Sequence, residues 1–123
     1  MLKVLIVEDD ADDARVMQLL MEKNKFQALI ARDSTEALDR LSEEPDLVLL
    51  DIKLPGMWGD KLLMEMKRRN YGGPVIAVTG VPETLGIIAH MKIVKPSLSC
   101  VQKPFEEAEL MQEIRKHIPQ IRA

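Results

Sequence analysis

The chain of 123 residues has few aromatic side chains, one cysteine and no long apolar run. Aromatic residues make up 3% of it, so a hydrophobic core must be built from Leu, Ile, Val, Ala and the eight Met residues. The single cysteine, Cys100, cannot form an intrachain disulfide, which fits a reducing compartment. No stretch approaches the ~20 apolar residues of a membrane helix, and the first apolar run is too short for a signal sequence. These absences predict a cytoplasmic protein that has no membrane partner.

An excess of positive charge is also missing. Lys and Arg number 17 against 20 Asp and Glu, and the net charge of −3 gives no general field for holding nucleic acid. Direct DNA binding would therefore need a separate domain. The hydrophobic share of 46% is too high for a disordered chain, and the length is close to the commonest domain size. We expect one globular domain over residues 1–123.

Short apolar runs alternate with segments of helical period, which is typical of β-α repeats. "DSTE" at Asp33–Glu36 predicts a capping box at the start of the second helix, and "NYGG" before Pro74 predicts the end of the third. The last helix is predicted over Glu106–His117. Five repeats with short connections favour an α/β fold, a doubly wound five-stranded parallel sheet with helices on both faces. The predicted strands are Leu2–Val7, Phe26–Ala31, Leu47–Leu50, Val75–Val78 and Leu98–Gln102.

Residues 86–98 follow no clear period. Pro82 and Glu83 suit the first turn of a fourth helix. Gly86 then weakens the helix, and the residues at 93–96 suggest a loop or a short extended segment. We therefore expect the fourth helix to be short or displaced.

Polar side chains follow the ends of four predicted strands. In a doubly wound sheet the binding site lies beyond the carboxyl ends of the strands, so these side chains are expected to meet. Acids, a hydroxyl and an ammonium at one edge form a plausible metal and phosphate site. The residues are Glu8, Asp9 and Asp10 after the first strand, Asp51 after the third, Thr79 after the fourth and Lys103 after the fifth.

Each of these residues also has an ordinary structural explanation. The acids of "VEDDADD" suit the first turn of a helix, where the macrodipole favours negative charge. Asp51 stands before "LPG" and could form a turn, and Thr79 before Gly80 could form a turn or a cap. Lys103 alone could be a solvated surface lysine. Their coincidence at four strand ends favours the functional interpretation.

Four motifs occur in order along the chain: "VLIVEDD", "DLVLLDIKLPGMWG" over Asp46–Gly59, "VIAVTG" over Val75–Gly80, and "KPF" over Lys103–Phe105. Together they resemble the receiver domain of two-component response regulators, across essentially the whole chain. The resemblance implies a flavodoxin-like strand order, 2-1-3-4-5, as in the chemotaxis regulator.

The resemblance also implies a phosphoacceptor and a metal site. Asp51 matches the phosphoacceptor, whose carboxylate attacks the phosphorus of a kinase phosphohistidine. The implied cofactor is Mg²⁺, bound by Asp9 directly, by Glu8 through water, by Asp51, and by the backbone carbonyl of Lys53. Asp10 is the neighbour of this acidic pair and does not belong to it. The cation would offset the repulsion between carboxylates and phosphate.

Thr79, Lys103 and Pro104 complete the implied machinery. Lys103 would give a point charge to the phosphoryl group, and the Thr79 hydroxyl would reorient to hydrogen-bond it. The Lys103–Pro104 peptide bond is expected to be cis and to aim the lysine inward. Catalysis would amount at most to autocatalytic phosphoryl transfer and autodephosphorylation, so the protein would act primarily as a signalling switch.

The implied partners are proteins on both sides of this switch. A histidine kinase or phosphotransfer protein would supply the phosphoryl group. A downstream effector protein or a fused output domain would respond to the face formed by the fourth helix, fifth strand and fifth helix. The early end of the chain suggests a stand-alone relay protein or the excised receiver of a larger regulator.

Three features depart from the family pattern. Cys100 stands where a Tyr or Phe is usual, and we expect it to be a packed residue of the last strand. Trp58 stands where Asp is common, and it would pack against Met57 or Leu54, or else shade the acceptor or contact the kinase. The altered segment 86–98 holds apolar residues that belong either to the core or to a docking patch. These residues are Ile87, Ile88, Met91 and Ile93.

A second function stays open, a phosphorylation-independent interaction module on the same fold. Cys100 and the altered segment 86–98 favour it, whereas the full set of acids, hydroxyl and lysine does not. A flavodoxin-like cofactor carrier would need a hydroxyl-rich loop after the first strand. In this chain that loop is acidic. A phosphatase of the haloacid dehalogenase type would need a second acid two residues after Asp51, where Lys53 stands.

Overall fold

Five parallel strands form one sheet in the order β2-β1-β3-β4-β5. The structure, a computed structural model, describes residues 1–80 and 85–120. Each predicted strand is present, with its ends shifted by at most one residue, so the predicted doubly wound sheet is confirmed. The strands are β1 (Lys3–Val7), β2 (Gln27–Ala31), β3 (Leu47–Leu50), β4 (Val75–Thr79) and β5 (Ser99–Gln102).

Helices follow the strands and cover both faces of the sheet. They are α1 (Ala11–Lys23), α2 (Ser34–Arg40), α3 (Gly59–Arg68), α4 (Leu85–Val94) and α5 (Glu107–His117), with a short 3₁₀ turn at Leu41–Glu43. Asp33 caps α2 as predicted, because its carboxylate accepts from the Glu36 N–H at 2.8 Å. Asn70, in the predicted "NYGG" stop, adopts a left-handed conformation just after α3. Within residues 1–80 and 85–120, no helix has the length and apolarity to cross a membrane.

Alternation along the strands creates two apolar layers. Val4 and Ile6 of β1 face the layer under α1 and α5, whereas Leu5 and Val7 face the layer under α2, α3 and α4. The same alternation occurs in β3 and β4. Because both faces are covered, all four β3 residues, Leu47–Leu50, are buried. The polar residues that follow the strands are therefore left to the edge of the sheet.

The fourth helix corrects one prediction. Ile93 and Val94, expected in a loop or extended segment, form the last turn of α4, and only Lys95 and Pro96 lie beyond it. Lys95 donates its N–H to the Met91 carbonyl at 2.8 Å, which closes the helix. The predicted first turn at 82 and 83 lies outside the described residues.

Tertiary packing explains this difference. Met91 is fully buried and Ile88 nearly so, and α4 packs against α3. Burial of an apolar helix face contributes more than the local propensities that Gly86 and the β-branched residues weaken. Ile93 is 78% exposed, and Ile87 is partly buried. The apolar residues of this segment are therefore divided between core and surface.

Candidate functional site

Backbone hydrogen bonds fix the residues that follow the strands. Glu8 donates its N–H to the last carbonyl of β2 at 3.0 Å, and Asp51 donates to the last carbonyl of β1 at 2.9 Å. Lys103 donates to the last carbonyl of β4 at 2.7 Å. Each bond continues the pairing of two neighbouring strands by one residue. The site is therefore built on the sheet itself, so its side chains start from rigid positions.

Three carboxylates meet at this edge. Glu8, Asp9 and Asp51 each offer an oxygen, and these oxygens lie within 4.8 Å of one another. Glu8 is 1% exposed, Asp51 is half-buried and Asp9 is exposed, so the cluster runs from the interior to the surface. Oxygen donors converging at the solvent boundary are the ligands that a hard divalent cation takes, and Mg²⁺ typically uses one or two carboxylates with waters. The donor set therefore fits Mg²⁺.

A lysine lies on the inner side of this cluster. The Lys103 ammonium donates to Glu8 at 2.5 Å and to Asp13 at 2.9 Å. Burial alone would lower the pKa of Lys103, but the hydrogen bonds that its ammonium donates to Glu8 and Asp13, together with the charges of Glu8 and Asp51, outweigh burial and raise the pKa. Lys103 is therefore held as a cation inside the pocket.

Glu8 is the acid of this cluster whose ionised form is disfavoured by its surroundings. Burial raises its pKa from 4.5 to about 7, and the charge of Asp51 adds to this rise. The hydrogen bond from Lys103 lowers the pKa but does not offset burial. Because the charge of Asp51 disfavours ionisation of Glu8, a cation bound between these carboxylates would relieve their repulsion.

Two further predicted site residues are Thr79 and Lys53. Thr79 is the last residue of β4 rather than the residue after it, and its side chain is buried. Its carbonyl accepts the Lys103 N–H, so it borders the pocket. Lys53 is exposed, and its ammonium lies 5.6 Å from the centre of the Trp58 ring. The metal-binding role of the Lys53 carbonyl stays a prediction.

Asp10 and Asp13 of "VEDDADD" have different contacts. Asp10 caps α1, because its side chain accepts from the Asp13 N–H at 2.9 Å, which agrees with its predicted place outside the metal pair. The sequence predicts Asp13 only as an acid of the first helical turn and does not indicate its contact with Lys103. Its position four residues before the buried Met17, on the sheet-facing side of α1, could have identified it. The pocket therefore includes one carboxylate that does not follow a strand.

The last strand agrees with two further expectations. The Lys103–Pro104 peptide bond is cis. Cys100 is half-buried and packs against the layer under α2, α3 and α4, and burial raises the pKa of its thiol. Cys100 is therefore a packing residue of β5.

Comparison with known proteins gives a consistent result. The sequence profile of the family described as "Response regulator receiver domain" matches residues 4–115. Sporulation initiation phosphotransferase F of Bacillus subtilis is 35% identical over 118 residues, which cover 95% of this chain and 94% of that protein. The DNA-binding response regulator MtrA of Mycobacterium tuberculosis is 30% identical over 117 residues, covering 94% of this chain and 50% of MtrA. The chain thus spans about half the length of the first curated relatives it matches.

Solved structures show the same similarity in three dimensions. A CheY-like response regulator receiver domain protein from Methanospirillum hungatei superimposes with a TM-score of 0.88 at 26% identity, covering 98% of this chain and 95% of that one. The signal receiver domain of an HD domain-containing protein from Pseudomonas fluorescens also gives a TM-score of 0.88, at 28% identity, covering 96% of this chain and 94% of that one.

Proposed function

The chain belongs to the response regulator receiver domain family, and on that premise we propose that Asp51 accepts a phosphoryl group from a phosphohistidine of a kinase or phosphotransfer protein. The observation that carries this proposal is the convergence of the Glu8, Asp9 and Asp51 oxygens within 4.8 Å, next to the ammonium of Lys103. A half-buried carboxylate that remains open to solvent is suited to act as a nucleophile. The reaction would take place in the cytoplasm, where two-component signalling operates.

The proposed transfer is a substitution at phosphorus. An oxygen of Asp51 forms the new bond to phosphorus while the phosphorus–nitrogen bond of phosphohistidine breaks. The imidazole leaves with the electron pair and takes up a proton, so the histidine ends neutral. Hydrolysis of the acyl phosphate, in which water attacks phosphorus, later regenerates Asp51 and releases inorganic phosphate.

Charge is the main obstacle to this step. Glu8, Asp9 and Asp51 are all acidic, and a transferring phosphoryl group adds further negative charge. Mg²⁺ held by Glu8, Asp9, Asp51 and the Lys53 carbonyl would supply the positive charge that offsets this repulsion. Lys103, whose side chain is mostly buried, would add a second positive charge, and the hydroxyl of Thr79, the last residue of β4, would donate to a phosphoryl oxygen.

The proposed output is a change on the α4-β5-α5 face. A phosphoryl group carries about −1.5 to −2 charges at neutral pH and shifts an existing balance between two arrangements. Ile93 of α4 is 78% exposed and gives this helix an apolar contact point. A downstream effector protein or a fused output domain would read the change. The DNA binding named for MtrA belongs to a protein of which this chain covers about half, and the net charge of −3 gives this chain no general positive field for nucleic acid.

Intact-mass measurement tests the acceptor. With Mg²⁺ and acetyl phosphate, the wild type is expected to gain one phosphate and to release acetate, whereas Asp51→Asn gains none. Asp39→Asn is the matched control, because Asp39 is an exposed acid of α2, away from the pocket, and it should label like the wild type. Equal labelling of Asp51→Asn would place the acceptor elsewhere. Labelling of neither protein would favour the phosphorylation-independent interaction module.

A second measurement tests the metal site separately. Calorimetry is expected to detect Mg²⁺ uptake by the wild type and a large loss of uptake by Asp9→Asn. Unchanged uptake by Asp9→Asn would remove Asp9 from the proposed ligand set without affecting the proposed acceptor.

A further inference from the structure

Lys103 has two carboxylate partners that differ in origin and exposure. Glu8 follows β1 and is 1% exposed, whereas the Asp13 side chain comes from the first turn of α1 and is 48% exposed. In the part of the chain that the structure describes, the Lys103 ammonium forms ion pairs with these two residues and not with Asp51. The Lys103 ammonium is therefore directed toward Glu8 and the start of α1.

We propose that Asp13 is a positioning residue that holds the Lys103 ammonium on the α1 side of the pocket and competes for it with the phosphoryl group on Asp51. This inference rests on the proposed function. It assigns to Asp13 control over how readily Asp51 becomes and remains phosphorylated. Asp13 does not touch the phosphoryl group and acts only through Lys103.

The difference in exposure between Glu8 and Asp13 determines which of them Lys103 would release in exchange for a phosphoryl group. Glu8 is almost fully buried, so water could not replace the hydrogen bond that its carboxyl group would lose on separation from Lys103. Asp13 is about half exposed, so water replaces Lys103 at its carboxylate with little loss. A phosphoryl group, which carries about −1.5 to −2 charges, is then a stronger partner than Asp13 for the same ammonium. Lys103 would keep Glu8 and exchange Asp13.

The position of Asp13 is set by the start of α1. Its N–H is held by the Asp10 cap at 2.9 Å, and its carboxylate reaches Lys103 at 2.9 Å from the first helical turn. Asp12 lies beside it in the same turn, is exposed, and forms no ion pair with Lys103 in the described residues. The two neighbours therefore carry the same charge on the same helix end but differ in contact with the lysine.

The test compares Asp13→Asn with Asp12→Asn, which removes the same charge one residue away. Each protein is incubated with Mg²⁺ and increasing acetyl phosphate, and the phosphorylated fraction at steady state is read by intact mass. Because ion pairs of a partly exposed partner are weak, Asp13→Asn is expected to need roughly threefold less acetyl phosphate for half labelling. Asp12→Asn should behave like the wild type, and Asp13→Glu should restore wild-type behaviour.

Urea denaturation of the same variants separates positioning from stability. The unfolding midpoints of Asp13→Asn and Asp12→Asn are expected to agree, so that the change in labelling is not a folding effect. The inference is overturned if Asp13→Asn labels like Asp12→Asn, if it needs more acetyl phosphate than the wild type, or if Asp13→Glu labels like Asp13→Asn. A wild type that labels at Asp51 in such an experiment leaves the proposed function intact, whereas labelling of Asp51→Asn would overturn the proposed function first.

Discussion

Two regions of the molecule, one at the carboxyl edge of the sheet and one on a face of it, differ in the interactions that hold them together. The acidic pocket consists of Glu8, Asp9, Asp13, Asp51 and Lys103, and charge determines its contacts. The second region is the α3–α4 layer, in which Gly59 of α3 and the buried side chains Ile88 and Met91 of α4 make apolar contacts. A side chain added at Gly59 would lie 3.1 Å from the Ile52 backbone and 3.4 Å from the Met91 side chain, so this layer is tightly packed.

This difference shows where chemistry and stability lie in the molecule. Substitutions in the pocket are expected to alter reactivity, cation uptake and pH dependence. Substitutions in the α3–α4 layer are expected to alter the free energy of unfolding. The pocket tolerates charge changes in its exposed members because water can replace a partner, whereas the layer does not tolerate lost volume.

The largest expected effect belongs to the α3–α4 layer. Met91→Ala removes a fully buried side chain and is expected to lower the free energy of unfolding by about 2–5 kcal/mol. Ile93→Ala, two residues later on the exposed side of α4, should stay within about 0.5 kcal/mol of the wild type. Urea denaturation measures both. Equal losses in the two variants would contradict the packing described for α4.

The next effect belongs to Glu8 and concerns pH. Because burial raises the pKa of Glu8 from 4.5 to about 7, the folded state binds a proton that the unfolded state has released between these values. The stabilisation from this proton is fully present below pH 4.5 and is lost as pH rises through about 7. Glu8→Gln should remove a decline on the order of 3 kcal/mol across this window.

Unfolding in EDTA at several pH values measures the effect of Glu8→Gln. Glu44→Gln is the matched control, since Glu44 is exposed, and it should keep the wild-type pH dependence. A Glu8→Gln profile parallel to the wild type would show that burial of Glu8 does not control its protonation.

The smallest expected effect on unfolding free energy belongs to Asp10 and distinguishes its role from that of Asp9. Asp10→Ala removes the cap of α1 and is expected to cost about 1 kcal/mol of unfolding free energy, while Asp10→Ser restores most of it. Mg²⁺ uptake by Asp10→Ala should equal that of the wild type, in contrast to the loss expected for Asp9→Asn. Loss of Mg²⁺ uptake in Asp10→Ala would shift the metal ligand from Asp9 to Asp10 and contradict the division of roles between them.

The sequence predicts the pocket better than the α3–α4 layer, and the reason is physical. A strand buried on both faces is a short apolar run, so its end is visible in the sequence, and the polar residue that follows it is placed by the backbone. This pattern predicts the positions of Glu8, Asp51 and Lys103. Asp33 was recognisable as a cap because the capping signal is local.

The missed features depend on contacts between distant parts of the chain. Asp13 meets Lys103 across 90 residues, and an acid in a first helical turn already has a sufficient local explanation. The last turn of α4 forms because Met91 and Ile88 are buried by α3, which no local propensity indicates. Long-range pairing and helix packing therefore require the folded arrangement.

The alignment of the strand ends limits how the chain can change in length. Val7 is paired with both Ala31 and Leu50, so β1, β2 and β3 end at the same level of the sheet. Leu50 is also paired with Ala77 of β4. Deleting one residue inside β1 or β3 would turn its terminal acid toward the opposite layer and withdraw it from the others. Insertions at the amino edge, between a helix and the next strand, would leave this alignment intact. Length variation compatible with activity should therefore be confined to that opposite edge.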